Sequence, residues 1–349
     1  MEQGERRLAA LDRMNGVACL LVILIHVLSL GISSLQTDSW QFFAVFVPWR
    51  LSSFVVPLFV FTGAVKQVVS FSGKQLTVAV YGAYLKNRFF KVVLPYVVWV
   101  AIYYAYYIRI GFVDGSVAEF LRYLYIGNLS SHFYYVIIVL QFYLLLPVWM
   151  WVVRRIPVYT ALCAAALVTV FMLSFAGLLF HFGVRFAYTD RVFLSYLFFW
   201  VLGLYAGKHE AVVLDGLRKK GRVMPAVLLL VCACLAYISQ RGIIYWSNWD
   251  AVKLVADTMA IGLLLACCVQ MEAGSRAARW LGKIHEASFT VYLSHCLFML
   301  VATRQMERWG VSSVAVLLLG RLLVCYTVPF GLYVAEKRCK GFLRRGQEK

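Results

Sequence analysis

Long apolar runs, broken by short basic or mixed connections, set the pattern of the chain. Runs of about 17 residues or more fall at 16–35, 42–65, 92–113, 132–153, 157–180, 191–207, 223–240, 251–271, 286–303 and 312–335. A helix of about 20 residues spans roughly 30 Å, the hydrocarbon thickness of a bilayer. The pattern therefore predicts an all-α fold, a polytopic membrane bundle of about ten transmembrane helices. The fourth and fifth runs are parted only by the tight turn Arg154-Arg155-Ile156-Pro157. No connection is long enough to hold a second domain, and no internal repeat stands out. Residues 1–349 read as one membrane domain, with an N-terminal segment at 1–15 and a basic tail at 337–349.

Composition agrees with this. Of 349 residues, 62% are hydrophobic and 14% charged, and the mean hydropathy is +0.78, whereas soluble domains carry about a quarter charged residues. The formal charge of +18 does not point to nucleic acid, because Lys and Arg sit between apolar runs, where they set orientation beside anionic headgroups. An even number of spans puts both termini on one side. That side holds 24 of the 34 Lys and Arg, including the stretch at 217–222 and the tail, against eight on the other, with Arg50 and Arg321 inside spans. Cytoplasmic termini follow. Arg6, Arg7 and Arg13 ahead of the first run resemble a signal peptide, but the run is too long and lacks a small-residue cleavage site, so a retained helix is expected. Tyr103, Tyr104, Tyr106, Tyr107, Phe133, Tyr134, Tyr135, Trp246 and Trp249 cluster where helices end. They read as an interfacial belt, with a glycan-stacking platform as the sharper alternative. The nine cysteines lie almost entirely in apolar runs without a C-x-x-C pair, which predicts neither disulfides nor a metal.

The candidate chemistry lies in the few polar groups within the runs: His26, Arg50, Gln141, Asp257, His295 and Arg321. Exposing any of them to lipid is costly, so they are expected to face the bundle interior. His26 sits near the middle of the first run, and His295 lies at a similar depth in the ninth. A histidine there suits a catalytic base, a transporter's proton relay or a structural hydrogen bond, and the residues alone leave all three open. The sequence shows no third Cys, His or carboxylate of matching depth, so no metal is expected. Arg88 and Lys91, at i and i+3 on an expected helix, share one face at the membrane surface; they read either as a topology anchor or as a phosphate-binding pair.

Several segments, in order, carry a resemblance. LDRMNGVACLLVILIH at 11–26 resembles the opening of the acyltransferase-3 family of integral-membrane O-acyltransferases, where a helix ends in V-x-x-x-H. RLSSFVVPLFVFTGA at 50–64, RFFKVVLPY at 88–96 and FYYVIIVLQFYLLLP at 133–147 are similar to the family's next motifs. GKIHEASFTVYLSH at 282–295 and YVAEK at 333–337 resemble its closing ones. Asn15 stands where the family has arginine, and Lys91 replaces the second arginine of the third-helix motif. The branch that looks nearest contains export or acylation proteins of poly-N-acetylglucosamine operons.

The resemblance implies His26 as the catalytic residue and Arg88 with Lys91 as the binding pair for the acyl donor. Arg50, Gln141, Tyr292 and His295 fall in the matching motifs and form the supporting pocket. It implies transfer of an acyl group, acetyl first, from cytoplasmic acyl-CoA as co-substrate, with no bound cofactor. The acceptor is a hydroxyl of an envelope polysaccharide or a lipid-linked sugar, and the setting is the plasma (inner) membrane of a bacterium. A homo-oligomer or a partner envelope protein fits the same picture. The rival class is a glycan or small-solute transporter with His26 and His295 as its relay.

Overall fold

The computed structural model describes residues 2–182, 188–219, 226, 227, 230, 250–272 and 274–347, and no strand occurs among them. In chain order the helices are α1 (Glu2–Ser34), α2 (Trp40–Leu51), α3 (Val55–Ser70), α4 (Val78–Arg88), α5 (Leu94–Arg109), α6 (Val117–Ile126) and α7 (Tyr134–Leu144). They continue as α8 (Leu146–Arg155), α9 (Val158–His181), α10 (Leu197–Lys208), α11 (Glu210–Lys219), α12 (Asp250–Gln270), α13 (Arg276–Arg308) and α14 (Val314–Gln347). A π-helical turn, Phe89–Val93, joins α4 to α5, and two short 3-10 turns, Thr189–Arg191 and Phe193–Tyr196, precede α10.

Seven helical segments are long and apolar enough to cross a membrane: Ala9–Ser34, Trp40–Ser70, Val78–Arg109, Val158–Phe175, Lys253–Gln270, Arg276–Arg308 and Val314–Cys339. The run expected at 132–153 is a broken pair, α7 and α8, bent by 61° at Leu145, and makes an eighth if counted as one span. Pro147 in the first turn of α8 lacks the N–H that would continue α7, so the break has a local cause. The run at 191–207 is a shorter apolar helical stretch, Phe193–Lys208. The run at 223–240, the basic stretch from Lys220, Trp246 and Trp249 lie largely or wholly outside the described residues. The stretch 66–91, expected as a connection, is already helical from Val78, with Thr77 capping α4 by accepting the Val80 N–H at 3.3 Å.

The chain divides into two compact units. One comprises residues 1–55 and 271–349 and is built from α1, α2, α13 and α14. Here α1 lies against α13 and α14, which also pack on each other. In a bilayer, close helix contact depends on small residues rather than on the hydrophobic effect. Gly16 supplies one such contact, since a Cβ there would collide with the carbonyl oxygen of Leu281 on α13. The Tyr326 hydroxyl of α14 donates to the Leu20 carbonyl of α1 at 2.6 Å. Toward one end, Asp12 meets His285 at 3.0 Å, Lys337 meets Glu286 at 2.7 Å and the Arg13 guanidinium donates to the Met271 carbonyl at 2.9 Å. Ser275 caps α13 by accepting the Ala278 N–H at 3.1 Å.

The other unit, residues 56–270, packs aromatic side chains at its centre. Phe142 stacks on Trp200 at 4.2 Å, and the Trp149 indole N–H donates to the Phe142 carbonyl at 2.9 Å. Gly203 and Gly207 let α10 approach α3 where a Cβ would strike Phe61 and Val68. Three aromatics expected in an interfacial belt are instead buried here. Tyr103 packs edge-on to Phe133 at 4.9 Å, and the Tyr104 hydroxyl donates to the Ser116 carbonyl at 2.8 Å. Position near a helix end therefore does not guarantee a place in the headgroup layer.

Candidate functional site

Two histidines meet where α1 and α13 cross. The ring centroids of His26 and His295 lie 5.1 Å apart, tilted by 50°. His295 is completely buried and His26 partly so. The close approach at Gly16 fixes the spacing of the two helices about three turns below His26.

The surroundings of His295 fix its tautomer. Its Nδ1 lies 3.0 Å from the Val291 carbonyl and 2.9 Å from the Tyr292 carbonyl. Carbonyls only accept, so Nδ1 carries the proton and Nε2 keeps its lone pair. That lone pair faces Cys296 Sγ at 3.3 Å, a thiol donating to an imidazole. The carbonyl of His295 in turn accepts from Cys325 Sγ at 3.5 Å. Tyr292, expected in the pocket, is buried with its ring 6.4 Å from that of His295.

One donor atom each from His26, His295 and Cys296 fall within 4.8 Å of one another. The expectation that no third donor shares this depth does not hold. Cys296 was legible only as a small hydrophobe in an apolar run; its position directly after His295 was the available signal. Two imidazoles and a thiol are chemically competent to hold a soft metal, and equally to serve as two bases beside a nucleophile.

The remaining expected site residues take other places. Arg50 ends α2, where the helix breaks after Leu51 before α3 begins. In the second unit, the Arg88 guanidinium lies 5.0 Å from the Tyr84 ring and 4.6 Å from the Tyr143 ring, held by cation–π contact. The Tyr84 hydroxyl donates to Gln67 Oε1 at 3.1 Å. Lys91 is exposed and lies within the π turn. A π turn closes i to i+5 rather than i to i+4, so residues three apart rotate further from each other than on an α-helix. The shared face expected for Arg88 and Lys91 is replaced by one arginine beside two tyrosine rings and one exposed lysine.

Gln141 serves the scaffold. Its amide donates to the Ile137 and Arg191 carbonyls at 3.1 and 2.7 Å and accepts the Phe193 N–H at 3.1 Å, so it clasps the 3-10 turns before α10. Asp257 is buried in a bond to Lys253, and the Arg321 Nε donates to the Thr303 hydroxyl at 2.8 Å. Gln141, Asp257 and Arg321 thus each find a partner within the protein, as the cost of exposing them to lipid requires.

Neither curated proteins nor solved structures give a match to this chain. A family model described as an acyltransferase domain matches residues 8–335, a stretch that takes in most of α1 including His26, the whole of α13 and nearly all described spans. The chain belongs to the acyltransferase-3 family of membrane acyltransferases.

Proposed function

We propose that this multi-pass membrane protein is an O-acyltransferase that moves an acetyl group from cytoplasmic acetyl-CoA to a hydroxyl of a cell-envelope polysaccharide or lipid-linked sugar. The observation that carries the reading is the His26–His295 pair at 5.1 Å inside a family acyltransferase domain. Such a pair supplies a base within the helix bundle.

In this reading Arg88 and Lys91 bind the phosphates of CoA, one as a guanidinium beside two tyrosine rings and one as an exposed ammonium. His26 removes the proton of the attacking hydroxyl, the oxygen bonds to the acyl carbon, and the carbon–sulfur bond to CoA breaks. His295 and Tyr292 orient the base, and Arg50 contributes positive charge for the oxyanion. In this reading both termini lie on the cytoplasmic side of a bacterial inner membrane. The positive charge of the connections supports that orientation.

Binding of labelled acetyl-CoA to the purified protein in lipid nanodiscs, followed by transfer to an envelope glycan fraction, tests the function. Saturable binding that weakens in Arg88→Ala/Lys91→Ala, and more so at high salt, is expected. A protein that binds no acyl-CoA but carries protons or glycans across proteoliposomes would be the rival transporter.

A further inference from the structure

The mechanism above uses both histidines and leaves a third reactive group unassigned. Cys296 Sγ is 3.3 Å from His295 Nε2, whose opposite nitrogen is pinned to two carbonyls, and His26 stands across the cluster. A nucleophile, a base within hydrogen-bond reach and a group that orients the base form the arrangement by which covalent catalysis is recognised. A second base on a different helix gives the second half-reaction its own proton acceptor.

We propose that Cys296 is the acyl carrier of the reaction: its thiol takes the acyl group from acyl-CoA as a protein thioester before the hydroxyl acceptor receives it. This rests on the acyltransferase reading and adds a covalent intermediate to it, so that the hydroxyl attacks the Cys296 thioester in place of acyl-CoA. In the first half, the Cys296 S–H proton passes to His295 Nε2 and the sulfur bonds to the thioester carbonyl carbon. The tetrahedral adduct then breaks its bond to the CoA sulfur, which leaves with the proton from His295. One thioester is exchanged for another, with no change in oxidation state. In the second half, the acceptor hydroxyl gives its proton to His26 while its oxygen bonds to the acyl carbon. The carbon–Sγ bond breaks, and the proton returns from His26 to the Cys296 sulfur.

The covalent step allows donor and acceptor to be used in turn. The protein can release CoA before a sugar arrives, so the two substrates need not occupy the cluster together. Cys296 is 6% exposed, while His26 presents the more open edge of the cluster. That order fits a thiol shielded from hydrolysis, with the acceptor's base on the more exposed side of the cluster.

Two measurements on the wild-type protein test this, and variants then locate the site. Without acceptor, the protein should exchange labelled CoA into acetyl-CoA. Quenched samples should carry one acetyl group per chain, mapped by mass spectrometry to Cys296 and released by neutral hydroxylamine as a thioester. Cys296→Ala should abolish both signals while keeping acetyl-CoA binding, and Cys325→Ala should keep both. In His26→Ala the adduct should form but not discharge to acceptor. Transfer that proceeds with no CoA exchange, or with undiminished rate in Cys296→Ala, would overturn the carrier and leave the acyltransferase reading standing. An adduct mapped to His26, or zinc bound at one per chain and lost in Cys296→Ala, would also overturn it. A wild-type protein that neither binds acetyl-CoA nor transfers acetyl would instead remove the underlying reading.

Discussion

A single proton decides what the histidine cluster can do. With Nδ1 of His295 committed to the Val291 and Tyr292 carbonyls, the ring is a one-sided acceptor, and it cannot also donate from Nε2 without becoming charged. His26 is the other imidazole of the cluster and the partly exposed one. His26→Asn should therefore lower acyl transfer by about 100- to 10,000-fold, the usual worth of a positioned base, while membrane insertion and acetyl-CoA binding stay unchanged. Steady-state transfer rates set beside binding isotherms check this, and full activity in the variant would remove His26 from the chemistry. The sequence alone singles out this residue as a candidate because an imidazole in the middle of an apolar run is costly and rare. Its partner at equal depth was legible from counting residues along the ninth run. Cys296 was not, because a thiol costs so little to bury that hydropathy cannot separate a reactive one from a packing one. Gln141 shows the converse: a polar residue in an apolar helix that serves three backbone bonds.

The elements hold these side chains in place through close backbone approach rather than through buried apolar area, since lipid is as apolar as the side chains it replaces. Gly16 is the clearest case. Gly16→Val would drive a branched side chain into the Leu281 carbonyl and force α1 away from α13. The expected cost is about 1–3 kcal/mol, the range for overpacking, read as a lower thermal midpoint in detergent together with reduced transfer. Gly282→Ala on α13 is the matched control, because a Cβ there meets nothing within 4 Å, and it should leave both unchanged. Helix periodicity made α1, α9, α12, α13 and α14 legible, since each is a long unbroken apolar stretch. It gave no warning of the π turn at Phe89–Val93, because nothing in the order of apolar residues distinguishes a helix closing to i+4 from one closing to i+5. The bend between α7 and α8 and the burial of Tyr103 and Phe133 escaped for a related reason: both depend on packing across the bundle, and a one-dimensional pattern carries only the apolar content of the run.

For the whole molecule, the proposed orientation of the termini rests on where the basic connections lie, and it can be tested without any knowledge of the reaction. The connection between α3 and α4 carries Lys74, and the one between α5 and α6 carries Asp114. A single helical passage, Val78–Arg109, separates them. If that passage crosses the membrane with the basic connection inside, a cysteine at Lys74 and one at Asp114 must face opposite aqueous phases. Among the described cysteines Cys163 and Cys339 are exposed and Cys267 partly so; these three, together with Cys232 and Cys234, have to be replaced by serine first, whereas Cys19, Cys268, Cys296 and Cys325 are buried. In intact cells, a membrane-impermeant maleimide should label the Asp114→Cys protein at once and the Lys74→Cys protein only after permeabilisation. Labelling of both from outside would mean that Val78–Arg109 does not cross. Reversed labelling would put the Arg88 end of α4 on the outer side and exclude a cytoplasmic donor there. The assay thus ties the charge pattern of the connections to the side from which acyl-CoA reaches the protein.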